Sequence, residues 1–318
     1  MTLARRALRR LRRLWHGKGG YTYRQWDREE RLAYLEQVVE YLRLESSRQS
    51  MLLRHVTAPV IHDLPQVRQT KESFDYQWAA IPAGVAMLDN QQFRAQATSF
   101  VTRFTALPAE WFRGKRAIDA GCGNGRYSWA LCRLGAAVLS LDQSEHGLRQ
   151  TADVCREFPA HRTMKVDLLQ PVPISERADL VWSFGVLHHT GDTYRAFRHI
   201  APLVAPGGYL FMMIYGEPRP YAIDDFIEVN EYASWGRRTA NLELPAKLEA
   251  IRAGMAAGEL RMVGEEFVNG YFDAISPPIN DLHTFEEVES WLLEAGFTDI
   301  RRTIESRNHH VVGRRPRD

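Results

Sequence analysis

Cysteine is scarce in this sequence. Three cysteines stand in 318 residues, at positions 122, 132 and 155, with no C-x-x-C pair among them. That excludes a disulfide framework and a cysteine-built zinc site, and it suits a reducing, cytoplasmic setting. Long apolar runs are also missing. No stretch approaches the roughly 20 uninterrupted apolar residues a membrane span needs, and the first residues lack the apolar core of a secretory leader. Net charge is small, at +2, which argues against nucleic acid as a global partner. What is present is 45% hydrophobic and 11% aromatic. That composition suits a packed globular protein of one large domain with additions, or two small ones.

One absence is local. No acidic residue precedes Asp27, while Arg5, Arg6, Arg9, Arg10, Arg12, Arg13, Lys18 and Arg24 do. Projected at about 100° per residue, Leu3, Ala4, Ala7, Leu8, Leu11, Leu14 and Trp15 share one face, opposite the arginines. Residues 3–15 therefore read as an interfacial helix on an anionic membrane surface or a protein partner. A helix docked on its own domain, an RNA contact and an organellar presequence would look the same. Residues 1–27 form this basic tail.

Residues 28–110 read as a helical N-terminal region. Leu32, Leu35, Val39 and Leu42 form one stripe over residues 28–46. Pro59, Pro65 and Pro82 punctuate an irregular stretch containing Phe74-Asp75-Tyr76-Gln77-Trp78, and a further helix is expected over Asn90–Leu107.

The most informative segment is Ile118–Tyr127, IDAGCGNGRY. It follows a short strand signal and precedes helically spaced Trp129, Leu131, Cys132 and Leu134. Gly121, Gly123 and Gly125 let a ligand approach the backbone, and the following helix offers amide donors. Position 126 carries Arg126 where a dinucleotide fingerprint would place a third small residue, so a pyrophosphate cradle is disfavoured. Asp119 adds a carboxylate suited to a cationic or amino-acid-like ligand. Asp142 closes the next apolar run, 21 residues after Gly121, where a strand-end carboxylate can accept ribose hydroxyls. Asp167 ends Met164–Asp167, within reach of an adenine amino group. Two more strands are expected over Ala178–Ser183 and Gly208–Ile214.

In order and spacing, IDAGCGNG, LSLDQS, MKVDLL, ADLVWSFGVLHH and LVAPGGYLFMMIY resemble a class I S-adenosylmethionine-dependent methyltransferase. The likeness covers residues 111–215 and continues more weakly through HTFEEVESWLLEAGFTDIR. It implies an α/β, Rossmann-like, seven-stranded and mostly parallel sheet with an antiparallel last strand. It also implies S-adenosylmethionine as cofactor and a small-molecule acceptor. The implied cofactor residues are Asp119, Gly121, Cys122, Gly123, Asn124, Gly125, Asp142, Gln143, Asp167, Leu168, Ser183 and Phe184. Cys122 reads as a small side chain beside the ligand. Aromatic segments ahead of such cores often close over the cofactor, so Tyr76 and Trp78 are lid candidates, or else ordinary core aromatics.

Residues 216–283 lack strand alternation and read as a helical insertion, Asp224–Trp235 and Leu244–Ala257, covering the acceptor pocket. Residues 284–318 complete the core. A capping box at Thr284 and Glu287 opens a helix ending at Gly296, and edge strands Thr298–Glu305 and His309–Gly313 follow.

Methyl transfer needs alignment and, for some acceptors, a base. His188 and His189 follow the fourth strand and are base candidates, or else shape the cofactor turn. His283 is a third candidate at a pocket rim, and Tyr215 and Tyr271 could orient an acceptor. No Asn/Asp-Pro-Pro-aromatic clamp for nucleobase amines follows that strand; Ser276-Pro277-Pro278 reads as a turn. No Pro-Cys pair follows it either, and no metal-ligand cluster is seen. The expected activity is methyl transfer to O, N or C of a small, amphiphilic acceptor. A tRNA-modifying methyl or carboxymethyl transferase and a non-catalytic cofactor-binding scaffold are the alternatives.

Overall fold

The computed structural model describes residues 65–81, 91–219 and 222–317. The basic helix at residues 3–15 and the helix at 28–46 lie outside the described residues.

Seven strands form one sheet: β1 (Arg116–Ala120), β2 (Ala137–Asp142), β3 (Arg162–Lys165), β4 (Ala178–Phe184), β5 (Val204–Ile214), β6 (Thr298–Ile304) and β7 (His309–Arg314), in spatial order β3-β2-β1-β4-β5-β7-β6. β1 to β5 pair in parallel, and only β7 runs antiparallel, between β5 and β6. This is the Rossmann-like sheet the sequence implied. The chain first builds outward through β2 and β3, then returns to place β4 on the other side of β1. That reversal opens a crevice at the carboxyl ends of β1 and β4.

Alternation along the strands divides the core into two layers. Ile118, Leu139, Leu141, Val181, Leu210 and Met212 belong to one buried cluster with α5 (Thr193–Ile200) and α9 (Phe285–Glu294). Ala117, Val138, Leu180, Trp182, Phe211 and Met213 belong to the other, with α2 (Gln91–Thr105) and α3 (Arg126–Arg133). α4 (Glu145–Val154) follows β2 and is capped by Ser144, which accepts from the amide of Gly147. Burial on both faces explains why the central strands read as continuous apolar runs.

Two expectations are corrected. Phe74–Trp78 is not irregular: it lies within α1 (Pro65–Ala80), a 16-residue helix that Pro65 opens, where a proline's fixed φ suits the first turn. The insertion holds three helices, not two: α6 (Ile223–Thr239), α7 (Leu244–Ala256) and α8 (Glu265–Ile275). They share a separate buried cluster that includes Trp235, Ile251, Tyr271 and Phe272. The capping box at Thr284 and Glu287 is formed as read. Among the described residues, no helix is long and apolar enough to cross a membrane.

Candidate active site

A cavity of about 440 Å³ opens at the crevice. One half of its lining comes from Gly121, Cys122, Gly123 and Asn124 after β1, Asp142 and Gln143 after β2, and Asp167 and Leu168 after β3. Gly121 has φ +89°, and a Cβ there would collide with Val186; only glycine fits that bend. Gly125 caps α3 and packs against Thr151 of α4 rather than lining the cavity.

Asp142 holds the turn as well as facing the cavity. Its Oδ2 accepts from the Gly123 amide at 2.9 Å, and its Oδ1 from the Ser144 amide at 2.8 Å. Burial raises its pKa, with those amides acting against the rise. Asp119 does not line the cavity. It is buried at the end of β1, accepts from Ser128 Oγ at 2.6 Å, and burial pushes its pKa up to about 7. Ser183 also turns inward, donating to the Ala120 carbonyl at 3.0 Å.

α1 roofs this half. Lys71 Nζ meets Asp167 Oδ2 at 2.6 Å, and Asp75 accepts from Ser144 Oγ at 2.7 Å. Gln150 donates to the Trp78 carbonyl, and Trp78 itself lines the cavity. The same helix reaches the insertion: Ser73 Oγ donates to Ser276 Oγ at 2.9 Å and Gln77 Nε2 to Asn269 Oδ1 at 2.9 Å. Tyr76 points elsewhere, its ring 5.8 Å from that of Phe272 in the insertion core.

The other half of the lining is more aromatic. Phe184, Met213, Tyr215, Tyr232 and Phe267 line it, together with His189, Asp273 and Arg307. Arg307 is nearly buried; it donates to the Gly216 carbonyl at 2.8 Å and to Glu228 at 3.0 Å. Sequence reading missed Asp273 and Arg307. Asp273 stands one helical turn after Asn269 and just before the Ser276-Pro277-Pro278 stretch read only as a turn, so its neighbourhood was the available signal.

Besides Asp119, Gly125, Ser183 and Tyr76, three more expected site residues lie outside the cavity wall. His188 accepts from the Tyr215 amide at 3.2 Å through Nδ1 and stacks on the Tyr215 ring at 3.7 Å. Its burial pulls the pKa well down. His283 is buried with Nε2 3.0 Å from Thr193 Oγ1 and its ring edge-on to Trp291. Tyr271 donates to Glu231 at 3.1 Å and accepts from the Met262 amide at 3.0 Å, inside the insertion. Of the histidines after β4, it is His189 that reaches the cavity.

A sequence profile described as a methyltransferase domain matches residues 118–210. A ubiquinone biosynthesis O-methyltransferase of Xanthomonas campestris is 31% identical over 167 residues, 46% of this chain and 67% of that protein. The chain belongs to the class I S-adenosylmethionine-dependent methyltransferases. Against a ubiquinone biosynthesis O-methyltransferase of Coxiella burnetii it is 32% identical over 104 residues, 31% of this chain, and spans 43% of that relative's length. Among solved structures, an O-methyltransferase family protein from Burkholderia thailandensis aligns with a TM-score of 0.49 and 15% identity, over 86% of this chain and 72% of that one.

The cofactor of this methyltransferase class is S-adenosylmethionine, and the residues present fit it. Gly121 and Gly123 bring bare backbone to the cavity wall, where a Cβ would strike Val186 or Trp78. The Asp142 carboxylate has the chemistry to accept ribose hydroxyls, and the Asp167 carboxylate, also on the cavity wall, has the chemistry to accept from a base's amino group.

Proposed function

We propose that this methyltransferase transfers the methyl group of S-adenosylmethionine to an oxygen atom of a small, largely apolar acceptor. One observation carries the reading: a single cavity joins the glycine turn and Asp142 to an aromatic chamber under α1, α6 and α8. The curated relatives, O-methyltransferases of ubiquinone biosynthesis, support oxygen as the receiving atom.

When bound, the cofactor supplies an already activated sulfonium methyl group. The chain's own task is then to hold, align and dry the site. Asp142 would fix the ribose, Asp167 the adenine, and the turn at Gly121–Asn124 the amino-acid arm. Phe184, Met213 and Tyr215 line the cavity, and the acceptor would lie against them and against Tyr232 and Phe267. Trp78 and the length of α1 shield the nucleoside side from water.

The test is incubation of the full chain and methyl-labelled cofactor with fractionated lysate. Label is expected in small organic-soluble compounds, in a bond stable as an ether. Label found in tRNA, or in no fraction while the cofactor binds, would overturn the proposal in favour of an RNA-modifying enzyme or a binding protein.

A further inference from the structure

Three segments distant in sequence converge at the wall of the cavity. His189 comes from the turn after β4, Tyr215 from the end of β5, and Asp273 from α8. Nε2 of His189 lies 3.9 Å from Oδ2 of Asp273, and the Tyr215 hydroxyl donates to the same oxygen at 3.3 Å. His189 Nδ1 is 2.9 Å from the carbonyl oxygen of Ile279. A carbonyl only accepts, so Nδ1 carries the proton and Nε2 presents its lone pair. That Nε2 is buried and makes no hydrogen bond among the described residues. His189 and Asp273 both line the cavity.

We propose that His189 takes the proton from an acceptor hydroxyl, with Asp273 and Tyr215 as positioning residues. The inference rests on the methyl-transfer reading and deepens it by naming the acceptor class, a phenol-like hydroxyl that enters protonated. The O–H bond breaks and its electron pair stays on oxygen for the new carbon–oxygen bond, which forms as the methyl carbon–sulfur bond breaks and that bond's electron pair leaves with the thioether sulfur of S-adenosylhomocysteine. The proton forms an N–H bond at Nε2, and the imidazolium is countered by the Asp273 carboxylate. A carboxylate acceptor, ionised from the outset, would leave this arrangement without work.

The surrounding groups set when it operates. Burial, against the hydrogen bond to the Ile279 carbonyl, holds His189 down at about 4, too low for an effective base near neutrality. A carboxylate within 4 Å favours the charged imidazole. Burial pushes Asp273 up to about 7, against the Tyr215 and Gln77 hydrogen bonds and the charge of Arg126. The carboxylate therefore forms as pH rises through about 7. His189 also faces the ring of His188 at 4.3 Å and the edge of Phe74 at 4.9 Å, and neither carries charge there, since burial keeps His188 neutral.

The test offers the full chain labelled cofactor with 1-naphthol, phenol and 4-nitrophenol, set against benzoate and aniline. Label is expected in the hydroxyl compounds, with kcat for 1-naphthol rising through about pH 7. His189→Gln should lower kcat about 100-fold or more with KM nearly unchanged. Asp273→Asn should lower kcat roughly tenfold and flatten the pH rise. Transfer only to benzoate or aniline, transfer to none of the probes, or a pH rise that survives Asp273→Asn would overturn the proposal. Calorimetry with S-adenosylhomocysteine separates the levels. Binding by the wild type and both variants confines a failure to the proton-accepting pair, and no binding by the wild type means that the underlying reading has failed.

Discussion

The indole of Trp78 lies directly over Gly123: a methyl group on that glycine would fall 2.7 Å from Cζ2 of the ring. α1 and the glycine turn are therefore fitted to one another, and the same tryptophan stands 3.2 Å from where a Cβ on Gly147 would be. The turn is thus closed from above by a residue whose backbone carbonyl is held from α4 by Gln150.

Gly123→Ala should dislodge this contact. The residue has φ +52°, so the new side chain adds left-handed strain of about 1–2 kcal/mol to the clash with a rigid ring. We expect a lower melting temperature and at least tenfold weaker binding of S-adenosylhomocysteine. Gly123→Ala combined with Trp78→Ala should recover part of the melting temperature but not the affinity. Thermal melts and calorimetry of the three proteins decide it, and an unchanged melt in the single variant would count against the fit.

The buried titratable groups define a stability optimum. Asp119 and Asp273 are held up to about 7 by burial, while an unfolded aspartate titrates near ~3.9. Between about 4 and 7 the folded state binds more protons, so these two groups cost stability as pH rises. His189, His309 and His310, lowered to about 4 by burial, and His188, lowered further, act oppositely. Below about 6.5 the unfolded chain protonates them and the folded chain does not, so their contribution grows with pH. His161 is likewise lowered by burial and Asp142 raised, so five histidines oppose three carboxylates; the histidine gain dominates through the window and fades above about 6.5, where the last of the carboxylate loss lies. The melting temperature should peak near pH ~6.5 and then fall, and Asp119→Asn should make the fall shallower. A melt that climbs steadily to pH 8 would contradict this.

Thr284 tests the fold away from the chemistry. Its side chain accepts from the Glu287 amide at 3.2 Å, and Glu287 returns a bond to the Thr284 amide at 3.0 Å. Thr284→Ala should cost about 1 kcal/mol, seen as a melting temperature lowered by roughly 2–4 °C, with cofactor affinity unchanged. Altered affinity would mean that α9 is coupled to the cavity.

The sheet and the glycine turn were legible because their signals are local. The apolar strand ending in Asp142, a bend that requires Gly121, and the Thr284–Glu287 box are each written within a few residues. α1 was not legible. Its buried residues include Thr70, Ser73 and Gln77, and two of these find partners only in the insertion, about 200 positions away (Ser276 and Asn269). No local periodicity announces that. Tyr271 and Asp273 show the same limit at the site. Two residues apart on α8, one closes the insertion's own core and the other faces the cavity. His188 and His189 divide likewise, since it is the tertiary position of Ile279 and Tyr215 that gives each ring its orientation.

The central claim is that an S-adenosyl nucleoside lies across the crevice, with its sugar on Asp142. The most direct test is a calorimetric titration of the full chain and of Asp142→Ala with S-adenosylhomocysteine. The account predicts saturable one-to-one binding by the wild type, weakened in the variant by more than about 1.5 kcal/mol through the loss of charge-assisted hydrogen bonds. No binding by the wild type, or equal affinity in the two proteins, would contradict it.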